Sequence, residues 1–588
     1  MLIARCRRLY RKRASILTAN SSPDLARLPD ADRPLVAAVS VFLVVRAIST
    51  MGSDMWLWGM NVQRFLGTIP GWGLWVLMVV AFVAATFWTR WTIHITKWHV
   101  AGFTAGVGLV VLAFPDRTGF LGDFMLREGT IASSNSFAEA FPQALPLDSF
   151  LHADLPRFCS SLFGASTTLV SRLTGIVEAI LFAVIAVLFA SVTSRTPADQ
   201  FSAASLLVFG GYLAMFTGLS KAASEQCLFL AAFVAFGLLA LRSNSFLLPA
   251  GCALALSLLI HRSSLVLILP ACYLYVVTYR RSRVEPLLIA AALTPVFALV
   301  AVFPRVSEIL RSFDVPHHVV APELGLLGPL RLLDIVNVGL VLSPLSLFII
   351  PLLIRHCLER GDRETRFLIL LCVAYLPLLL LAIPQQGYFR DWDVFAPMGV
   401  ALSLLTAWLV ATRPGGTGRH ANVSVLVAVI AILSTLQWLI HFSDPVRGVA
   451  RVRAYVSAQP RRSDRDLGKT WEYLGFKYSA MGLATHSADA FEAAAGFTPH
   501  RYLFIAWLLA ELDTEDLVGG MRATEELTER FPEYPLGWYA YARVAAQSGD
   551  TLRAHQALDS LRSRLVTDAQ RKDIREFAAR YPNLWRRR

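Results

Sequence analysis

Charge is scarce in this chain. Only 16% of its 588 residues are charged, while 55% are hydrophobic, and its mean hydropathy is +0.52. That scarcity excludes a soluble protein with an ordinary polar surface. Cysteine is also sparse, with seven residues and no Cys-x-x-Cys spacing, which argues against a zinc or dithiol motif. Cys159 alone falls in a predicted outer loop, so no intrachain disulfide is expected. The N-terminus lacks a small-residue cleavage site after its first apolar run, so it reads as a retained anchor rather than a secretory signal. A gathered basic surface is missing too. The net charge of +13 is dispersed over the N-terminal "RCRRLYRKR" and short gaps such as "YRRSRVEP", so no nucleic-acid partner is expected.

What is present is a succession of apolar blocks near the bilayer-spanning length of about 20 residues. They predict a polytopic, all-α membrane protein with spans near 34–56, 72–92, 99–115, 174–194, 201–219, 223–241, 245–261, 263–279, 286–303, 335–354, 367–384, 394–412 and 422–441, about 13 transmembrane helices. With the basic N-terminus inside, alternate gaps are cytoplasmic: "TRWTIHITKWH", "SRTPADQ", "RSNS", "YRRSRVEP", "RHCLERGDRETR" and "TRPGGTGRH". Each carries Lys or Arg, as the positive-inside rule requires. The opposite gaps are 116–173, "SKAASEQ", "HR", 304–334 and "PQQGYFRDWD". The expected divisions are a cytoplasmic basic N-terminus 1–33, an extra N-terminal hairpin 34–92, a membrane domain 93–441 with outer loop 116–173, and an extracytoplasmic segment 442–588. The expected location is the bacterial inner membrane, multi-pass.

In segment 442–588 the hydropathy collapses and a repeat begins. "WEYLGFKY" matches the tetratricopeptide signature W-x2-L-G-x2-Y through Trp471, Leu474, Gly475 and Tyr478. Phe491, Ala494 and Pro499 follow in register, with Ser487 where Ala is usual. A second copy lies at Trp538, Gly549, Ala554 and Leu558, almost two periods of about 34 residues further on. Stacked helix pairs of this kind form a small solenoid whose groove suits a protein or glycan partner. A packing module is an equal alternative.

Charged residues collect near span ends on the outer side. "YFRDWDVFAP" sets Arg390, Asp391 and Asp393 between two long apolar runs, where immersed charge is costly. The outer gaps add Asp116, Asp123, Arg127, Glu128, Asp148, His152, Asp154, Lys221, Glu225, His261 and Arg262. Acids and bases at one leaflet suit a ligand with a lipid tail and an anionic head, the cations neutralising phosphate. Structural roles compete: Asp391 and Asp393 as caps of the helix beginning at Phe395, Arg390 as a snorkelling side chain, Asp148 and Asp154 as solvated loop acids, His152 as a structural histidine. The His261–Arg262 break between apolar runs demands a partner or a very tight turn.

These residues resemble the GT-C superfamily of integral-membrane glycosyltransferases, which take sugars from polyprenyl-linked donors. The likeness rests on the first long outer loop with "FLGDFMLREG" and "LDSFLHADLPRF", on short paired spans, on the "HR" break, and on "GYFRDWDVFAP" in a late outer loop. It covers residues 95–441 in architecture. Two departures are the extra hairpin 34–92 and a single acid in "GD" where some members carry paired acids for a metal. The resemblance implies an inverting transfer from a polyprenyl-phosphate sugar with no cofactor, a bound divalent cation being the less favoured alternative. It implies Asp123 as catalytic base, with Glu128 second. Lys221, His261, Arg262, Arg390, Asp391, Asp393 and His152 would bind substrate. A polysaccharide or O-antigen-type ligase, a transporter and a non-catalytic scaffold presenting the repeats are the rival readings. Membrane lipids are the remaining expected partners.

Overall fold

The computed structural model describes residues 32–87, 97–121, 127, 129–131, 137–194, 196–218, 221–282, 286–312, 328–413, 418–565 and 567–580. The described residues are helical throughout, without strands, and they divide into two compact units: one up to Gly448, and a second of Val449–Arg588 joined by Gln385–Gly387.

The first unit is the membrane domain. Its helices are α1 (Arg33–Ile48), α2 (Leu74–Phe87), α3 (Lys97–Ala113), α4 (Leu155–Phe163), α5 (Thr167–Thr193), α6 (Pro197–Val208), α7 (Ala223–Ala240), α8 (Leu247–Ile260), α9 (Ile268–Ser282), α10 (Pro286–Ser312), α11 (Pro329–Leu342), α12 (Ser346–Arg360), α13 (Arg363–Leu381), α14 (Ala396–Thr412) and α15 (Gly418–Ser443). Local chemistry sets several ends. Thr196 accepts from the amide of Asp199 ahead of Pro197, Asp362 accepts from Thr365 at 2.6 Å, and Gly361 closes α12 in the left-handed region, φ +60°.

Eight described helices are long and apolar enough to cross a membrane, and α11 with α12, bent by 92°, makes a ninth span if read as one. The contacts favour that reading. Asp334 in α11 accepts from Trp58, both in gaps expected on the outer side, while Glu364, just beyond α12, pairs with Arg242, both in gaps expected on the inner side. The other four segments of the thirteen expected are helical but short or broken. α1 has 16 residues, which at 1.5 Å per residue is about 24 Å, less than the hydrocarbon thickness. The helices at 101–113 and 244–260 are short as well. The segment expected as a span over 201–219 breaks at Gly210–Gly211 into a 3-10 turn, Gly211–Phe216. A Cβ at Gly210 would lie 2.3 Å from the Leu342 carbonyl, and one at Gly211 2.3 Å from that of Val341. Glycine thus lets this break sit against the backbone of the α11–α12 bend.

Ion pairs and hydrogen bonds join gaps of like parity. Arg413 meets Asp32 (3.2 Å) and Asp199 (3.5 Å), and Arg242 meets Glu364 (3.3 Å), all in gaps expected on the inner side. His152 with Glu225, Lys221 with Asp393, and the amide of Thr118 with the Phe442 carbonyl join gaps expected on the outer side. Arg46, in the last turn of α1, is fully buried and reaches Ser434 (3.1 Å) and Gln437 of α15, which gives neutral partners to both terminal nitrogens of a charge the sequence sets inside a span.

The second unit is a run of antiparallel helices: α16 (Asp464–Ala480), α17 (Ala484–Phe497), α18 (Arg501–Asp513), α19 (Leu517–Arg530), α20 (Pro535–Gln547), α21 (Thr551–Arg564) and α22 (Asp568–Arg580). Successive helices from α16 to α21 pack on one another around Phe491, Phe504, Trp507 and Leu508. A Cβ on Gly475 would meet the Phe491 ring at 2.6 Å, and Ser487 donates to the Gly475 carbonyl at 2.9 Å. The signature residues of α16 and α17 therefore form their mutual contact.

The α8–α10 crossing offers a direct test of helix packing. A Cβ at Gly251 would sit 2.4 Å from the Ala291 carbonyl, whereas Gly106 on α3 has open space. Overpacking costs about 1–3 kcal/mol, so Gly251→Val is expected to lower the thermal midpoint in detergent by several degrees. Gly106→Val should leave it nearly unchanged, and equal midpoints for the two variants would contradict the close crossing.

Candidate functional site

The charged stretch sits on an aromatic floor. Arg390 lies over the Phe120 ring at 6.0 Å, Phe120 packs on Phe389 at 4.9 Å, and Phe389 meets Trp58 at 5.4 Å. Arg390, Asp391 and Asp393 are all buried. Asp391 stands at the N-cap of the 3-10 turn Trp392–Phe395 without a side-chain capping bond. Asp393 instead takes Lys221, Nζ to Oδ2 2.6 Å. Lys221 keeps 14% of its side chain exposed and Asp393 2%, and the second Asp393 oxygen is buried without a hydrogen-bond partner.

Beside that pair runs a chain of buried ionisable groups. Arg127 grips Asp148 with both terminal nitrogens (3.2 and 2.7 Å) and is covered by the Phe137 and Phe141 rings at 5.3 and 5.2 Å. Asp148 meets His152 Nδ1 at 2.9 Å, and His152 Nε2 meets Glu225 at 3.0 Å. Glu225 lies in the first turn of α7, takes the Ser224 hydroxyl at 3.1 Å, and is within electrostatic reach of Glu178 of α5. Burial alone would discharge His152. The Glu225 carboxylate and the bond to Asp148 more than reverse that, so its pKa is pushed up to about 10. Burial alone would likewise raise the Asp148 carboxyl, but the Arg127 and His152 charges hold it below its ordinary value.

At the "HR" break, α8 ends at Ile260 and a 3-10 turn, Arg262–Leu267, begins. His261 caps that turn: its Nδ1 accepts from the Ser263 amide at 3.3 Å and faces the Ser263 hydroxyl at 2.8 Å. Gln226 of α7 and Ser257 of α8 bind Ser264 at 3.1 and 2.9 Å. The very tight turn that the sequence demanded is present. His261 is within electrostatic reach of Arg262, Asp148, Arg127 and Lys221.

The structure thus brings Lys221, His152, His261, Arg262 and Asp393 into one neighbourhood, with Arg390 and Asp391 adjoining Asp393 in the chain. Asp123 and Glu128 lie outside the described residues. Asp116 closes a local turn by accepting from Thr118 (2.8 Å) and Gly119 (2.9 Å). Arg127, Asp148 and Glu225 stood among the outer charges without a site role of their own, and Glu178 was not among them. Two signals in the sequence pointed to them: the i, i+4 spacing of Asp148 and His152, and Glu178 as a lone acid in an apolar span. Among the described residues no group of three or more His, Cys, Asp or Glu is arranged to hold a metal ion.

No family model matches the chain, and no curated protein matches it. Among solved structures it is similar to the crystal structure of the Archaeoglobus fulgidus oligosaccharyltransferase in the apo form, at 13% identity and a TM-score of 0.29. The match covers 70% of this chain, which spans 59% of that one. A likeness of that size transfers no residue role.

The buried histidine sets a pH dependence. A folded-state pKa of about 10 against 6.5 unpaired gives stability that is complete below pH 6.5 and lost between 6.5 and 10. The depressed Asp148 contributes above 3.8 and loses its share on acidification below it. The difference in thermal midpoint between wild type and His152→Gln is therefore expected to be level between about pH 5 and 6.5 and to close toward pH 10. A difference that widens from pH 6.5 to 9 would contradict the assignment.

Proposed function

We propose that the chain is an inverting membrane glycosyltransferase of the GT-C type, moving a sugar from a polyprenyl-phosphate donor to an extracytoplasmic acceptor in the cell envelope. The observation that carries this reading is the gathering of Lys221, Arg262, His261 and Asp393 at one end of the spans, with Arg390 adjoining on its aromatic floor. Cations held at the membrane interface suit a lipid phosphate, whose chain remains in hydrocarbon. In the proposed reaction Asp123 takes the proton of the acceptor hydroxyl, and the acceptor oxygen attacks the anomeric carbon from the face opposite the phosphate. The bond from that carbon to the phosphate oxygen breaks, and its electron pair leaves on the polyprenyl phosphate. Arg390, Arg262 and Lys221 stabilise the departing charge. Glu128 is the second choice of base. Asp393 orients Lys221, and no metal is invoked.

The α16–α22 unit is proposed to be a tetratricopeptide-like solenoid, supported by the Gly475–Phe491 and Ser487–Gly475 contacts. With the basic gaps inside, it would lie outside the cytoplasm and offer its groove to a protein or glycan. Ser548→Cys, beside Gly549, is expected to react with a membrane-impermeant maleimide in intact spheroplasts. Labelling only after lysis would overturn that placement.

Transfer from radiolabelled polyprenyl-phosphate sugars in membranes tests the activity. Loss of a positioned base costs about two to four orders of magnitude, so Asp123→Asn is expected to lower kcat by that much with donor KM little changed. Arg390→Ala should raise donor KM as well as slow transfer. Transfer by Asp123→Asn near the wild-type rate would refute the base, and no transfer from any polyprenyl-phosphate sugar would refute the reading.

A further inference from the structure

We infer that Arg127, Asp148, His152, Glu225 and Glu178 form a buried positioning relay that fixes Lys221 for the donor phosphate. The inference rests on the glycosyltransferase reading for the task of Lys221, but the connection itself is one of chain position, four residues before Glu225. The relay begins in the outer loop at Arg127, passes through Asp148 and His152 around the start of α4, and ends on two spans, at Glu225 of α7 and Glu178 of α5. Glu225 is in the first turn of α7, and Lys221 lies one turn's length of chain upstream, between that anchor and its own bond to Asp393. Held from both sides, the Lys221 ammonium has little freedom to swing.

Every relay member is buried, and both nitrogens of His152 are engaged by carboxylates. These groups are therefore not placed to touch a substrate. Net stability does not call for charges at these positions, although breaking the chain once built is costly. Buried ion pairs are often matched or bettered by apolar residues of the same volume, because desolvation offsets their attraction. What such a chain supplies, and apolar packing does not, is a fixed spacing of opposite charges from one element to the next. The structure assigns His152 to this positioning role, in place of direct substrate contact.

The chain has six lysines, so acylation of Lys221 can be read residue by residue by mass spectrometry on protein in nanodiscs, without any substrate. Glu225→Gln and His152→Gln are expected to raise the Lys221 modification rate at least fivefold while Lys469 and Lys477 react as in wild type. Glu178→Gln, at the far end of the relay, guards against misfolding of the other two and should give a smaller rise. Arg64→Ala, a half-exposed pair with Asp54, should change nothing. With a polyprenyl-phosphate [14C]-sugar that wild type uses, the relay variants should raise donor KM at least fivefold, and Glu225→Asp should recover part of the loss where Glu225→Ala does not. Unchanged Lys221 reactivity in folded Glu178→Gln and His152→Gln would overturn the relay. If wild type itself transfers no sugar, the activity reading fails, and the modification rates still decide whether the relay holds Lys221.

Discussion

His152 clasped between Asp148 and Glu225 is the contact on which this end of the membrane domain depends. A buried imidazolium between two buried carboxylates is tolerable only if all three stay in register, since an orphaned charge in that setting costs about 3–5 kcal/mol. That penalty makes the contact an all-or-none device. The loop carrying Arg127 and Asp148 is bonded to the first turn of α7, or several charges are stranded together. The same turn leads back to Lys221, so the loop and the cation cluster are set by a single decision.

The opposite end of the domain is organised by the same economy of charge. Arg413 gathers Asp32 and Asp199, while its other terminal nitrogen takes the Ser424 hydroxyl at 2.8 Å. Three gaps far apart in sequence are thereby tied at one face, as His152 and Lys221 tie three at the other. With so few charged residues, those at these two ends are bonded across distant gaps, and sidedness and packing become one problem.

Much of this was legible in the sequence, and the exceptions share a cause. Alternating apolar blocks and basic gaps are one-dimensional signals, and the helices lie where those blocks are. The α6 segment broke because Gly210 and Gly211 admit the backbone of α11, a contact between residues about 130 positions apart that no local pattern encodes. Asp148 read as a solvated loop acid because its partner Arg127 is distant in sequence, yet its i, i+4 relation to His152 was visible. Glu178 was hidden by the apolar run around it. His261 and Arg262 were legible as a problem, a polar break needing a turn, and the turn proved to be capped by His261 itself.

The 92° bend between α11 and α12 is bridged by hydroxyls: Ser343 to Ser403 and Ser346 to Thr406, each at 2.7 Å. A sharply bent helix frees backbone polar groups that in a bilayer would otherwise recruit water. Here hydroxyls of α14 bond the hydroxyls at the bend, and Gly210 and Gly211 let a third element lie against its carbonyls. The consequence is mechanical. Straightening the bend would break both hydroxyl pairs and pull two carbonyls away from the glycines, so the angle of α11 to α12 is tied to the positions of α14 and of the break after α6.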